Sequence, residues 1–169
     1  MEKQPVTVEP HFWNKLEFQI EFIPIEDKDS MPDLPWGGVY AIGNLDGKVP
    51  VVKYPENIEY PFGLPGGHSE NGETIEQALN REIKEELNMT VKEWIPIGYE
   101  RVSLKGKPGD YKYALYVYAV LEKDGEWCTD VGGCVIGYDL IDISEVAPKV
   151  KKGQRMDYMT YKVKGYFHS

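Results

Sequence analysis

The chain has 169 residues, enough for one globular domain that buries roughly 70% of the surface its unfolded form would expose, and it carries 28 Asp and Glu against 19 Lys and Arg, a net charge of −9. With 41% hydrophobic and 12% aromatic residues it can fill a core, which excludes the disordered, collagen-like and low-complexity classes. The negative charge repels a nucleic-acid backbone over a Debye length of about 8–10 Å, so a duplex-binding face is not expected, whereas a small phosphorylated substrate held through a metal is compatible.

In chain order, residues 14–23 alternate, with Leu16, Phe18, Ile20 and Phe22 on one side and Lys15, Glu17, Gln19 and Glu21 on the other. That is the period of a half-buried outer or edge strand. Residues 25–35 are acidic, Pro-containing and aperiodic, so 1–35 is expected to form an N-terminal strand and loop extension. Two β-rich runs at 39–42 and 49–52 flank Asp46-Gly47, a pair that favours a hairpin turn. Residues 55–67 hold Pro55, Pro61, Pro65, Gly63, Gly66 and Gly67, the composition of a stiff, shaped loop rather than regular structure.

A helix is predicted over 74–87. Thr74 and Gln77 make a capping box, Ile75, Ala78, Leu79, Ile83 and Leu87 share one stripe, and Asn88 tolerates the left-handed C-terminal position. Strand-like runs follow at 94–103, 111–121 and 133–138. The segment 111–120 is apolar on both faces after its start, as a central strand is. Asp142 to Glu145 resemble a capped helix start, and the end of the chain reads equally as helix or strand. No repeat or second boundary is visible, so 1–169 is expected to be a single domain.

Cys128 and Cys134 make neither a disulfide framework nor a paired zinc motif. No basic-then-apolar leader opens the sequence, and no run approaches the ~18 apolar residues of a membrane span. These features lead to the expectation of a soluble cytoplasmic protein with free thiols and no membrane partner.

The chemistry concentrates on the predicted helix. Glu82, Glu85 and Glu86 fall within about 100° of arc, so they share one face. A solvated charged face is the ordinary reading of such a run. Two facts oppose it: like charges at i, i+3 and i, i+4 each cost ~0.2–0.5 kcal/mol, and Glu85 and Glu86 sit in the last turn, where the helix dipole disfavours anions. On the wheel, Glu82 and Glu86 also lie beside the apolar stripe. Crowded anions at a core rim need a cation, and hard oxygen ligands suit Mg²⁺ or Mn²⁺. The preceding Gly66-Gly67 lets backbone approach a ligand without interfering Cβ atoms.

Residues 67–89 resemble the Nudix box, written G-x5-E-x7-R-E-U-x-E-E-x-G-U with U aliphatic. Gly67, Glu73, Arg81, Glu82, Ile83, Glu85, Glu86 and Met89 fall in register, and Asn88 stands in place of the last glycine. The resemblance to the Nudix hydrolase family (MutT-like) implies an α/β/α sandwich around a mixed β-sheet, here with an extra N-terminal strand. It further implies metal ligation by Glu82, Glu85, Glu86 and the Gly66 carbonyl, with Arg81 and Glu73 bracing loop and helix. The activity implied is Mg²⁺-dependent hydrolysis of a nucleoside diphosphate linked to another moiety, with Mn²⁺ as a substitute cation. The family places its general base inside the box or on a later loop. Glu85 is the first candidate and Glu126 the second, with Glu100 and Glu122 weaker; an exposed hairpin turn is an equal reading of Glu126.

For the substrate, Trp36, Tyr40, Tyr54, Tyr60, Phe62 and Tyr99 are candidates to stack a base, although aromatics in β-rich runs are more often core. Arg101, Lys105 and Lys107 are candidates for distal phosphates. His11, His68 and His168 show no ligand spacing. A non-catalytic nucleotide sensor on the same fold is the alternative function, and isomerisation of isopentenyl diphosphate ranks below it, since neither cysteine has a catalytic context. Residues 149–169 carry six basic residues against Asp157 alone. That basic end is left to face phosphates, a second subunit of a homodimer, or solvent.

Overall fold

The computed structural model describes residues 3–55, 59–107, 109–130 and 132–167. Its strands are β1 (Thr7–Trp13), β2 (Leu16–Pro24), β3 (Trp36–Asn44), β4 (Val49–Lys53), β5 (Phe62–Gly63), β6 (Gly66–His68), β7 (Met89–Leu104), β8 (Lys112–Lys123) and β9 (Gly137–Ile141). Its helices are α1 (Ile75–Leu87), α2 (Ile143–Val150) and α3 (Gln154–Val163). Six strands form a mixed sheet in the order β1-β2-β7-β8-β3-β6, and β5-β4-β9 form a second, antiparallel sheet. Only β3 and β8 pair in parallel within the large sheet, and β8 lies inside it, as its two apolar faces require.

Two apolar layers flank the large sheet, which makes the fold an α/β sandwich. Ala78, Leu79, Ile83 and Leu87 of α1 pack with Val39, Ala41, Leu115 and Val117. On the other side, Val146 and Val150 of α2 and Met156 and Met159 of α3 pack with Phe22, Ile42, Ile97 and Tyr116. Each fully buried Val, Leu, Ile, Phe or Met among these contributes about 1.5–3 kcal/mol relative to exposure.

Several sequence expectations are modified. The N-terminal extension is a hairpin of two strands, and β2 lies between β1 and β7 rather than at the edge. β1 escapes the pattern because Pro10 interrupts it, and an outermost strand is where a residue without an N–H is tolerated. The Asp46-Gly47 turn forms, with both residues at positive φ and reciprocal bonds between Leu45 and Lys48. Its strands then diverge, β3 into the large sheet and β4 into the small one. The stiff loop contains β5 and β6, and the strand sought at 133–138 is displaced to Gly137–Ile141. The ambiguous C-terminal segment is helical, α3 with buried Met156, Met159 and Val163 followed by a 3-10 turn over Lys164–Phe167.

Candidate active site

Helix α1 begins at a reciprocal capping box. Thr74 Oγ1 accepts from the Gln77 N–H at 3.2 Å, and Gln77 Oε1 accepts from the Thr74 N–H at 2.8 Å. It ends at Asn88 with φ 52° and ψ 46°, the left-handed cap a glycine would otherwise supply. These ends fix the rotation of the helix, which turns Glu82 and Glu86 toward the glycine-rich strand β6. Glu86 is 8% exposed, and its Oε2 accepts the Gly66 N–H at 2.9 Å. Glu82 lies so close to Gly67 that a Cβ there would meet Glu82 Oε1 at 2.5 Å. Gly66 is equally constrained: at φ +140° a Cβ would meet the Val39 carbonyl at 2.1 Å. Glycine is therefore required at Gly66, and at Gly67 any side chain would push the Glu82 carboxylate away.

Arg81 ties the loop to the helix. Its guanidinium donates to Glu73 Oε1 at 2.9 Å and Oε2 at 3.1 Å, to the His68 carbonyl at 3.0 Å, to Glu82 Oε1 at 2.9 Å and to Glu85 Oε2 at 3.3 Å. The hydrogen bond from Arg81, more than any other influence, holds the Glu73 carboxyl below its ordinary range. Glu82 and Glu86 are pushed the other way. Burial is the main cause for both; Arg81 opposes it at Glu82, and the Gly66 amide opposes it at Glu86. Glu86, further raised by Glu82, Asp130 and Glu85, is pushed up to about 8. It has no basic side chain within ion-pair distance among the described residues.

Among the described residues, no three His, Cys, Asp or Glu side chains converge as a ready metal cage. The Arg81 guanidinium is instead bonded to both Glu82 and Glu85. The donor set nevertheless fits a hard divalent cation. It consists of oxygens, it includes a buried carboxylate without a basic partner, and it lies beside glycine backbone that leaves space for a ligand. Glu85 is half-exposed at the rim. Gly66 faces the cluster through its amide.

The loop after β8 closes over the C-terminus of α1. The indole N–H of Trp127 donates to the Glu86 carbonyl at 2.8 Å, Asn88 Nδ2 donates to the Glu126 carbonyl at 2.7 Å, and Lys84 pairs with Asp124. The Glu126 residue is exposed and meets the helix through its backbone. Asp130, four residues further on, is the acid of this loop whose charge acts on both Glu82 and Glu86. No spacing rule pointed to it, because its proximity depends on the Trp127 and Asn88 anchors. Glu100 is buried and holds Arg155, and Glu122 pairs with Lys92.

A cavity of about 450 Å³ is linked to the acidic cluster through Tyr40, which lines it and pairs with Gly66, the glycine whose amide Glu86 binds. Its lining combines Tyr40, Tyr54, Tyr60, Phe62 and Leu64 with Glu9, Lys151, Lys152 and Arg155. Burial is the main reason that the Tyr40 and Tyr54 phenols are raised, with the charges of Glu82 and Glu86 adding to it. Of the predicted substrate residues, Tyr40, Tyr54, Tyr60 and Phe62 are thus in the cavity. Arg101 and Lys105 are not among its lining residues; they pair with Glu21 and Glu17 of β2 at 2.7 Å. Trp36 and Tyr99 pack on each other in the core, 5.6 Å between ring centres. The basic C-terminal region supplies what the aromatic list lacked, Lys152 and Arg155. His168 lies outside the described residues.

Comparison with known proteins agrees with this architecture. The profile of the NUDIX domain matches residues 38–161. An ADP-ribose pyrophosphatase of Methanocaldococcus jannaschii is 42% identical over 59 residues, 34% of this chain and 35% of that protein, so the match spans about a third of the relative's length. Among solved structures, the pyrophosphohydrolase BsRppH of Bacillus subtilis superposes with a TM-score of 0.68 at 20% identity, covering 88% of this chain and 92% of that one. A NUDIX hydrolase from Nitrosomonas europaea gives 0.58 at 20% identity, covering 77% and 90%. At these identities the two structures speak for the fold. The matched segment, which runs through the box, the helix and most of both sheets, shows that the chain belongs to the Nudix hydrolase family.

Proposed function

We propose that the protein is a Mg²⁺-dependent pyrophosphohydrolase that cleaves the phosphoanhydride of a nucleoside diphosphate linked to another moiety. The observation that carries this reading is the buried Glu86 bonded to the Gly66 amide with Glu82 packed against Gly67, on strand β6 whose Gly66 pairs with Tyr40 of a tyrosine-lined cavity. Glu82, Glu85 and Glu86, with backbone of Gly66, would hold Mg²⁺ or Mn²⁺. When bound, the cation supplies neutralisation of phosphate charge and a lowered pKa for water. The chain's own residues do the rest. Arg81 keeps Glu82 and Glu85 on one side of the cluster, Glu73 holds Arg81, and the Trp127 anchor ties the loop that carries Asp130 to α1. Glu85, half-exposed, and Asp130, on the loop anchored by Trp127, would be the carboxylates to take a proton from attacking water.

The ADP-ribose pyrophosphatase similarity supports a nucleotide-type substrate. Coupling of the N-terminal hairpin to the rest, through Glu9 and Arg155 at 3.2 Å, supports treating residues 1–169 as one domain. Cytoplasmic residence is the setting we infer, supported by the exposed free thiols of Cys128 and Cys134. No described helix is long and apolar enough to cross a membrane. Incubation of the purified protein with a panel of nucleoside triphosphates and nucleoside diphosphate sugars in Mg²⁺ is expected to release a nucleoside monophosphate from at least one member. Tight nucleotide binding with no turnover of any member would instead make the protein a sensor.

A further inference from the structure

The floor of the tyrosine cavity is built around Lys152, which sits between two left-handed residues, Lys151 at φ 56° and Gly153 at φ 69°. Its Nζ donates to the Tyr116 hydroxyl at 3.1 Å and lies 5.1 Å from the ring centre of Tyr40 and 5.6 Å from that of Tyr116. Those two rings stack at 5.5 Å. No carboxylate lies within ion-pair distance of Lys152 among the described residues. The nearby acids are occupied by Arg155, which pairs with Glu100 at 2.5 Å and with Glu9 at 3.2 Å. An ammonium has three donors and no acceptor, so one hydrogen bond to a neutral phenol leaves it under-used in a half-buried setting.

We propose that Lys152 is a specificity-determining residue that donates to a carbonyl oxygen on the base of a nucleotide seated in the Tyr40–Tyr54–Phe62 cavity, favouring oxo bases over amino bases. This rests on the hydrolase reading above, with the anhydride at Glu82 and Glu86 and the nucleoside reaching into the cavity. Three features choose the base over other acceptors. Tyr40, Tyr54, Tyr60 and Phe62 line the cavity with Lys152, which suits a flat π system. Arg155 is already held by Glu9 and Glu100, whereas Lys152 bonds only a neutral phenol, so Lys152 is the donor left beside the aromatic rings for a carbonyl oxygen. The position is also fixed from behind: Glu9 accepts the Gln154 N–H at 2.9 Å and the Arg155 N–H at 3.3 Å, which holds the start of α3 and the Lys152 loop. An adenine presents its 6-amino group, a donor, where hypoxanthine and guanine present an acceptor. A donor opposite a donor leaves both unpaired, and sites built on one hydrogen bond discriminate strongly against such an analogue.

The test compares inosine, guanosine and adenosine versions of one nucleoside diphosphate sugar with the wild-type protein, Lys152→Met and Lys152→Arg. Wild type is expected to prefer the inosine and guanosine substrates by about 10- to 100-fold in kcat/KM, a difference expressed in KM. Lys152→Met is expected to bring that ratio to within about 3-fold, while Lys152→Arg, which still donates, retains most of it. A ratio that Lys152→Met leaves intact overturns the proposal. So does a loss that appears only with an analogue carrying an extra phosphate monoester, which would make Lys152 an anion site. Calorimetric titration of inosine and adenosine monophosphates in EDTA reads the same preference without turnover. If no substrate is hydrolysed, the hydrolase reading fails and the titration still decides the role of Lys152.

Discussion

At the residue scale, Glu86 ties stability to chemistry. In the folded protein its carboxyl is pushed up to about 8 from an ordinary 4.5, chiefly by burial. Between those values the native state keeps a proton that the unfolded chain has lost, so this group's contribution is largest at low pH and declines as pH rises through the window. Glu86→Gln keeps the shape and removes the titration. It is therefore expected to raise Tm of the metal-free protein at pH 8 by roughly 4–8 °C, to change it little at pH 5, and to lower hydrolysis by about 100-fold or more. Calorimetry at both pH values and a turnover assay check the three outcomes. Gly67→Ala should act in the opposite sense on stability, because its Cβ would meet the Glu82 carboxylate. A lower Tm together with at least about a 10-fold loss of turnover is expected. The glutamates were legible in the sequence because helical geometry places them at fixed spacing, and the glycines because an adjacent pair in a Pro- and Gly-rich loop marks a close backbone approach. Asp130 and Lys152 were not, since each is brought in by a loop whose path depends on distant anchors, Asn88 and Trp127 for one and Glu9 for the other.

At the scale of elements, the box helix was readable to its ends. A capping box, an apolar stripe and a left-handed cap are local signals, and α1 runs from Ile75 to Leu87 between Thr74 and Asn88 as they specify. Thr74→Ala is expected to cost about 1 kcal/mol, measured by urea unfolding, because it frees one end of the capping box. Asn88→Ala is expected to cost about 1–2 kcal/mol through the left-handed backbone, and Asn88→Gly to be nearly neutral if the turn matters more than the side-chain bond to Glu126. The strands were less legible. β1 was hidden by Pro10, and the divergence of β3 and β4 into different sheets leaves no local trace, because the turn between them looks the same in either arrangement. Gly153 supplies a further check. At φ +69°, with Glu9 Oε1 2.1 Å from where a Cβ would sit, Gly153→Ala should unseat the contact between β1 and α3. Faster hydrogen exchange in both elements is the expected readout.

At the scale of the whole molecule, the net charge of −9 divides into two functional surfaces. The acids of the box crowd around Glu82 and Glu86, and the basic C-terminal segment sends Lys152 and Arg155 into the tyrosine-lined cavity. An acidic cluster beside a cavity with cationic side chains repels phosphate until a cation is present, so binding of metal and nucleotide should be cooperative. Because the Glu86 proton must leave before the carboxylate can serve as a ligand, the rise in Tm on adding Mg²⁺ is expected to be greater at pH 8 than at pH 6. The most direct test of the central claim is Mg²⁺-dependent release of nucleoside monophosphate from the nucleotide panel, run in parallel with wild type and Glu86→Gln. Turnover by wild type that disappears in EDTA, returns with Mg²⁺ and falls about 100-fold or more in the variant is the predicted result. Equal turnover by the two proteins, or turnover by wild type that EDTA leaves untouched, would contradict it.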